Sequence, residues 1–190
     1  MYPTVHRYGD MDRESFDSYY SRWPPELSSI PKSVVEDWIY RHWNCFQDRW
    51  ISLAPHTWTY RKSSFNNDQI LTIDHVLTWI SELDAEGVEF VTGAPRSQCS
   101  VGRFMLSEGT FPVPIIVAEE ASHVVCPRGG GAHMKAPLQL IEGHTRLACL
   151  RGMINAGHQN VKNNHQVWLV QIPGGRPKTS FLQNPLRGSA

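Results

Sequence analysis

Glu142-Gly143-His144-Thr145-Arg146 places an acid, a proton-transfer group, a hydroxyl and a permanently charged planar fork within five consecutive positions. Residues of these types suit phosphate chemistry. Arg146 offers paired N–H donors to phosphate oxygens and can offset charge that grows on a phosphoryl group in transit. His144 can serve as general acid or base, and Glu142 can either help hold Mg²⁺ or orient water. Gly143 admits a positive φ or a close approach of backbone to ligand.

The elements that must position this set can be read on either side of it. Leu138-Gln139-Leu140-Ile141 is an apolar run suited to a buried strand, and Leu147, Leu150 and Ile154 recur at helical spacing from His144 onward. The pattern is strand, glycine turn, helix. A helix start presents N–H groups and a positive dipole end, so Gly143, His144, Thr145 and Arg146 form a candidate phosphate cradle, open to ATP phosphates or a DNA backbone phosphate. One carboxylate makes a poor metal site. Glu119, Glu120 or Glu108 would have to join Glu142 around Mg²⁺, or the phosphates themselves would hold most of the ion. Neither Gly-x-x-x-x-Gly-Lys-Ser/Thr nor Gly-x-Gly-x-x-Gly after a strand occurs, which disfavours a P-loop ATPase and a dinucleotide fold.

Pro114–Ala118 reads as an earlier strand and Gln166–Ile172 as a later one, giving an αβ layer with the phosphate turn at a strand's carboxyl end. Between the first two strands, Cys126 to Lys135 contains three consecutive glycines, expected to be a mobile connection. Arg128, His133 and Lys135 flank it, so it is either a cationic lid for the phosphate site or an ordinary hairpin kept soluble by its charges.

Upstream, Ser33-Val34-Val35-Glu36 reads as a capping box before an amphipathic helix whose buried stripe runs through Val35, Trp38, Ile39, His42, Cys45, Phe46 and Trp50. Six of seven tryptophans lie in the first 79 residues. Stacking platforms for single-stranded nucleic acid would use such a density, but at helical spacing core packing is the stronger expectation. Residues 1–28 read as an irregular arm with aromatic anchors, and Ser63–Asp68 as a loop of turn-formers. A second helix is expected from Thr72, with Ile73, Val76, Leu77, Ile80 and Leu83 as its stripe, His75 as a solvated histidine in its first turn and Gly87 as its stop. Val88–Val91 follows as a short strand, and Arg103–Leu106 as a short helix ended by Gly109.

Hydrophobic content of 41% and a net charge of zero fit an ordinary globular chain. The zero conceals an asymmetry of −6 over residues 1–95 and +6 over residues 96–190. Either the second half carries a basic face for a polyanion, or the halves neutralise each other across an interface. Cys45, Cys99, Cys126 and Cys149 lack zinc-site spacing and are expected to be reduced and mostly buried. No membrane-spanning run or export leader is evident, so the cytoplasm is the expected compartment, with recruitment to the inner membrane through a partner left open.

Glu142-Gly143-His144-Thr145-Arg146-Leu147-Ala148 resembles the Gly-x-x-Arg-x-x-Ala turn of the ParB/sulfiredoxin superfamily, in the form found in ParB-like nuclease domains. The resemblance spans roughly residues 100–173. It implies an α+β fold in which a ParB/sulfiredoxin-like core (100–173, a mixed sheet with helices) carries a helical, Trp-rich N-terminal extension (1–99) and a basic flexible tail (174–190). Sulfiredoxin has its catalytic cysteine where this chain has His144, which argues against thiol repair. ParB itself has Glu-Arg where this chain has His144-Thr145, and its helix-turn-helix domain is not recognisable here. In length and opening the chain is similar to the plasmid-encoded oncogenic-suppression family of fertility-inhibition proteins. That resemblance implies Mg²⁺-dependent ATP hydrolysis and DNA cleavage directed against DNA exported by a competing conjugation system. On the chemistry of the residues themselves, Glu142, His144 and Arg146 are the expected catalytic residues and Gly143, His144, Thr145, Arg146, Lys135 and Arg128 the expected phosphate contacts. The alternative is a non-catalytic inhibitory module that binds DNA or a type IV secretion coupling protein and keeps the turn for nucleotide binding or structure.

Overall fold

The apolar runs of the second half become strands buried on both faces. The computed structural model describes residues 1–93, 95–127 and 129–174. Four strands, β1 (Thr59–Asn66), β2 (Ile115–Glu119), β3 (Leu138–Glu142) and β4 (Asn164–Gln171), form one mixed sheet in the order β1-β4-β2-β3. β4 is antiparallel to β1 and parallel to β2, and β2 is antiparallel to β3. Alternation along the strands sends Ile115, Val117, Leu140, Val167 and Leu169 into one core and Ile116, Ala118, Ile141 and Val170 into another. The sheet is thus the middle of three layers, and the class is α+β as expected.

The N-terminal layer covers the face of Ile116 and Ile141. It comprises α1 (Phe16–Tyr20), α2 (Lys32–Val34), a π-helical stretch continuing α2 over Val35–Tyr40, and α3 (Trp43–Arg49). Trp38, Trp43, Trp50 and Trp58 are all buried, with Trp38 edge-on to Phe46 at 5.1 Å and to Trp50 at 5.4 Å. Core packing is therefore what these indoles do. The arm is anchored as expected, Tyr2 standing edge-on to Phe46 at 5.1 Å. The single capped helix expected from Ser33 is corrected. Pro31 takes the N-cap position, and the π turn, in which Arg41 N–H reaches the Glu36 carbonyl, throws the sequence out of 3.6 phase so that the chain breaks at His42.

The opposite layer contains α4 (Asn67–Leu71), α5 (Trp79–Val91), α6 (Ser100–Glu108) and α7 (His144–Asn155). Gly109 ends α6 at a φ of 65°, as expected. Three expectations fail. The stretch read as a loop at Ser63–Asp68 is the end of β1, drawn into the sheet by pairing with β4 from Thr59 opposite Gln171 to Asn66 opposite Asn164, and then the start of α4, which Asn66 and Gln69 cap reciprocally. Residues Ile73–His75 are not helical, because Asp74 exchanges backbone bonds with Leu138 and Leu140 at 3.0 Å and so covers the open edge of β3. α5 consequently starts at Trp79 and absorbs Val88–Val91. Gly87 does not stop it: a Cβ there would lie 2.4 Å from the Ala148 carbonyl oxygen, and one on Gly152 would lie 2.2 Å from that of Gly87, so the pair lets α5 and α7 cross closely.

Because β1 and α5 belong to the sheet and to the layer beneath it, the core reaches well back of residue 100. The glycine run lies within a segment whose ends are paired. Cys126 N–H bonds to the Ala132 carbonyl and Met134 N–H to that of Val124, both at 2.8 Å, closing a hairpin. Arg128 and residues 175–190, most of the expected tail, lie outside the described residues. Among the described residues no helix is long and apolar enough to cross a membrane.

Candidate functional site at the Gly143 turn

β3 delivers Glu142 to the end of the sheet beside Ile116. Gly143 then adopts φ 104°, and a Cβ there would lie 2.4 Å from Ile115 Cγ2. Conformation and crowding both demand glycine. α7 starts at His144, its first hydrogen bond running from Leu147 N–H to the Gly143 carbonyl at 2.8 Å. Glycine leaves that helix start without a side-chain cap from its own N-cap residue.

Arg146, one turn into the site, folds back over this junction. Its Nη1 donates to the Val113 carbonyl at 2.9 Å, and Nη2 stands 3.8 Å from Glu142 Oε1. The side chains are 11% and 18% exposed. Burial pulls the Arg146 pKa below its ordinary value, opposed by the negative charges of Glu142 and Asp37 and reinforced by the positive charge of Arg41.

Asp37, Arg41 and His42 were not singled out as site residues in the sequence, and all three arrive from the N-terminal layer. Arg41 Nη2 is 3.4 Å from Asp37 Oδ1, and His42 Nε2 is 3.5 Å from Glu142 Oε1. Burial pushes the Asp37 carboxyl above its ordinary pKa, opposed by Arg41 and Arg146. Periodicity had absorbed His42 into the apolar stripe. The available signal was an Asp-x-x-x-Arg-His cluster on a segment otherwise made of aromatic and aliphatic residues.

His144 faces another way. Its Nε2 is 3.2 Å from Nε2 of His75, and its ring meets Trp79 at 5.4 Å. His75, expected at the surface, is 2% exposed, since its segment runs along β3 instead of opening a helix. With His75 Nδ1 donating to the Val76 carbonyl at 3.3 Å, its Nε2 accepts from His144 in the neutral pair. Thr145 is exposed at the helix start.

The remaining candidates are not gathered here. Glu119 closes β2 at the far end of the sheet, opposite Leu138, where Gln171 donates to it at 2.7 Å and Arg61 lies 3.4 Å away. Four residues of β3 put about 13 Å between that end and Glu142. Glu120 bonds to the Pro137 carbonyl at the same far end, and Glu108 sits 3.6 Å from Lys162. Among the described residues no group of three or more His, Cys, Asp or Glu is arranged around a metal. A Mg²⁺ site shared by Glu142 and these acids does not fit the donor set. Lys135 precedes Leu138, so the register places it too at the end away from Gly143, and the lid expectation loses its described cation.

Among the described residues, charge pairing across the two halves occurs inside the fold. Arg151 is buried, forked onto Asp84 at 2.7 and 3.0 Å and donating to the Leu71 carbonyl at 2.7 Å. Asp84 and Arg151 come from the acidic and basic halves, so part of the asymmetry is neutralised internally. Two of the four cysteines, Cys126 and Cys149, are buried, and burial pushes the Cys149 thiol up to about 11. Comparison with known proteins gives no matching family model, no matching curated protein and no matching solved structure.

Proposed function

We propose that the chain is a phosphohydrolase that hydrolyses ATP and cleaves DNA at the Gly143 turn, and that it acts in the cytoplasm as a plasmid fertility-inhibition effector, blocking export of DNA by a competing conjugation system. One observation carries the chemical part: Glu142 and Arg146 stand side by side across a positive-φ glycine where a buried strand feeds the start of a twelve-residue helix. The biological part rests on the chain's resemblance in length and opening to the plasmid-encoded oncogenic-suppression family of fertility-inhibition proteins, beside that of the Glu142–Ala148 turn to ParB-like nuclease domains.

In this mechanism the first turn of α7 takes phosphate oxygens, of ATP or of the DNA backbone. Arg146 offsets charge that builds on the phosphoryl group, and because Val113 and Glu142 already hold its guanidinium, little reorganisation is needed at the moment of reaction. Glu142 aligns the groups that activate water. Mg²⁺ carried in on the substrate phosphates would supply charge neutralisation.

The test is Mg²⁺-dependent phosphate release from ATP, with nicking of plasmid DNA in parallel, for wild type and for Arg146→Ala and Glu142→Gln. Loss of both activities in folded variants is the expected result. Arg146→Ala also removes a donor from the Val113 carbonyl, at a cost of about 1–3 kcal/mol, so its thermal melt must accompany the assay.

The burial of Arg146 favours a second reading, in which the arginine is a structural clamp and the chain an inhibitory module that occludes DNA or a secretion coupling protein. Under that reading clean wild type hydrolyses nothing, and inhibition of DNA transfer survives in both variants.

A further inference from the structure

We propose that the proton-transfer residue of the Gly143 turn is His42, supplied by the N-terminal layer, and that Glu142 positions it; this rests on the phosphohydrolase reading. The first support is geometric. Glu142 Oε1 lies 3.5 Å from His42 Nε2 and 3.8 Å from Arg146 Nη2, so one carboxylate oxygen joins an imidazole to the guanidinium of the phosphate turn. His42 is 44% exposed, open to water and substrate, whereas its two partners are largely covered. The histidine within the motif is differently engaged: His144 Nε2 is committed to His75 and its ring rests against Trp79.

The second support is in the backbone. The helix leading to His42 widens into a π turn over Val35–Tyr40, and His42 then leaves helical geometry at φ −120°, ψ 39° as the N-cap of α3. Such turns disturb a regular hydrogen-bond ladder and recur at functional sites. Here the disturbance brings Asp37, Arg41 and His42 to the side of the sheet where Glu142 and Arg146 emerge.

The step balances without a further reactant. With Nε2–H directed at Glu142, Nδ1 holds the lone pair. Nδ1 takes a proton from the attacking water as the water oxygen forms its bond to phosphorus and the P–O bond to the leaving group breaks. The leaving oxygen keeps the electron pair and is protonated from solvent. Glu142 stabilises the imidazolium, which returns its proton to solvent.

The experiment uses the full chain as wild type, His42→Ala, His42→Asn and Arg146→Ala, with ATP hydrolysis and plasmid nicking measured with and without added imidazole and each variant checked by thermal melt. Both His42 variants should lose about 10²-fold or more in kcat with KM little changed, and imidazole should restore part of the turnover of His42→Ala. Rescue separates a lost proton carrier from a lost structural contact. A folded His42→Ala with wild-type kcat, or a loss that imidazole does not repair, overturns the proposal; should that variant melt, wild-type turnover in His42→Asn does so. Activity lost in Arg146→Ala but kept in the His42 variants refutes His42 alone, while an inactive wild type removes the phosphohydrolase reading and this proposal together.

Discussion

His165 is fully buried at the start of β4, and neutral imidazole satisfies everything around it: Nδ1 accepts from the Thr110 hydroxyl at 2.9 Å and Nε2 donates to Asn67 Oδ1 at 2.8 Å. Burial lowers its pKa from 6.5 to about 4, with the Lys162 charge adding to the shift and a backbone bond near Lys162 opposing it. Because the folded pKa is depressed, the unfolded chain binds a proton first as pH falls. Stability is unaffected by this group above about pH 6.5 and is lost between there and about pH 4, by roughly 3 kcal/mol at most. Urea midpoints measured from pH 7 to pH 4 should fall, and His165→Gln should flatten that dependence whatever it does to the baseline. Gly143 gives a second residue-scale expectation. Gly143→Ala forces a side chain into a φ of 104° and against Ile115, so it should cost about 2–4 kcal/mol by denaturation, independently of any activity.

At the scale of elements, α5 and α7 are the pair most dependent on detail. Gly152→Ala drives a methyl group onto backbone at Gly87, where no side chain can yield, and should destabilise by about 1–3 kcal/mol. Asp84→Ala should cost about as much, because Arg151 keeps its bonds to the Leu71 and Ile73 carbonyls but loses its counter-charge. A melting series on the two single variants checks both. This crossing also shows where sequence reading stopped. β2, β3, α7 and β4 were legible because each carries its own apolar period and is bounded by turn residues. β1 was not, since it is an edge strand with Phe65 as its one fully buried side chain, and only pairing with β4 makes a strand of Ser63-Ser64. The stripe from Ile73 to Leu83 is buried only in part and mixes two elements: Ile73 and Val76 are buried from a segment lying along β3, Leu77 is exposed, and Leu83 is buried from α5. The candidate site divides similarly. Glu142, Gly143 and Arg146 are adjacent in sequence and were found, whereas the Glu142–His42 contact joins residues a hundred positions apart and has no local period to betray it.

For the whole molecule the question is whether the N-terminal layer is an accessory or a wall of the fold. Its residues share one core with Ile116, Ala118, Ile141, Val170 and Ile172, the side chains that the sheet turns away from α7. Without Trp38, Trp43, Phe46 and Trp50 that face would be a contiguous apolar surface on a sheet only four strands wide, beyond what a soluble monomer ordinarily exposes. The layer also brings Asp37, Arg41 and His42 to the turn, so the proposed chemistry would depend on it as the packing does. A chain starting at Thr59 keeps every strand and helices α4 to α7, and a ParB/sulfiredoxin-like core independent of its extension would let it fold. The three-layer packing leads to the opposite expectation: a fragment of residues 59–190 should show no cooperative thermal transition and should bind a hydrophobic dye, while the full chain melts in one step. A sharp transition in the fragment near that of the full chain would make the layer an addition to a finished core, and His42 would then be a visitor to the Gly143 turn rather than part of it.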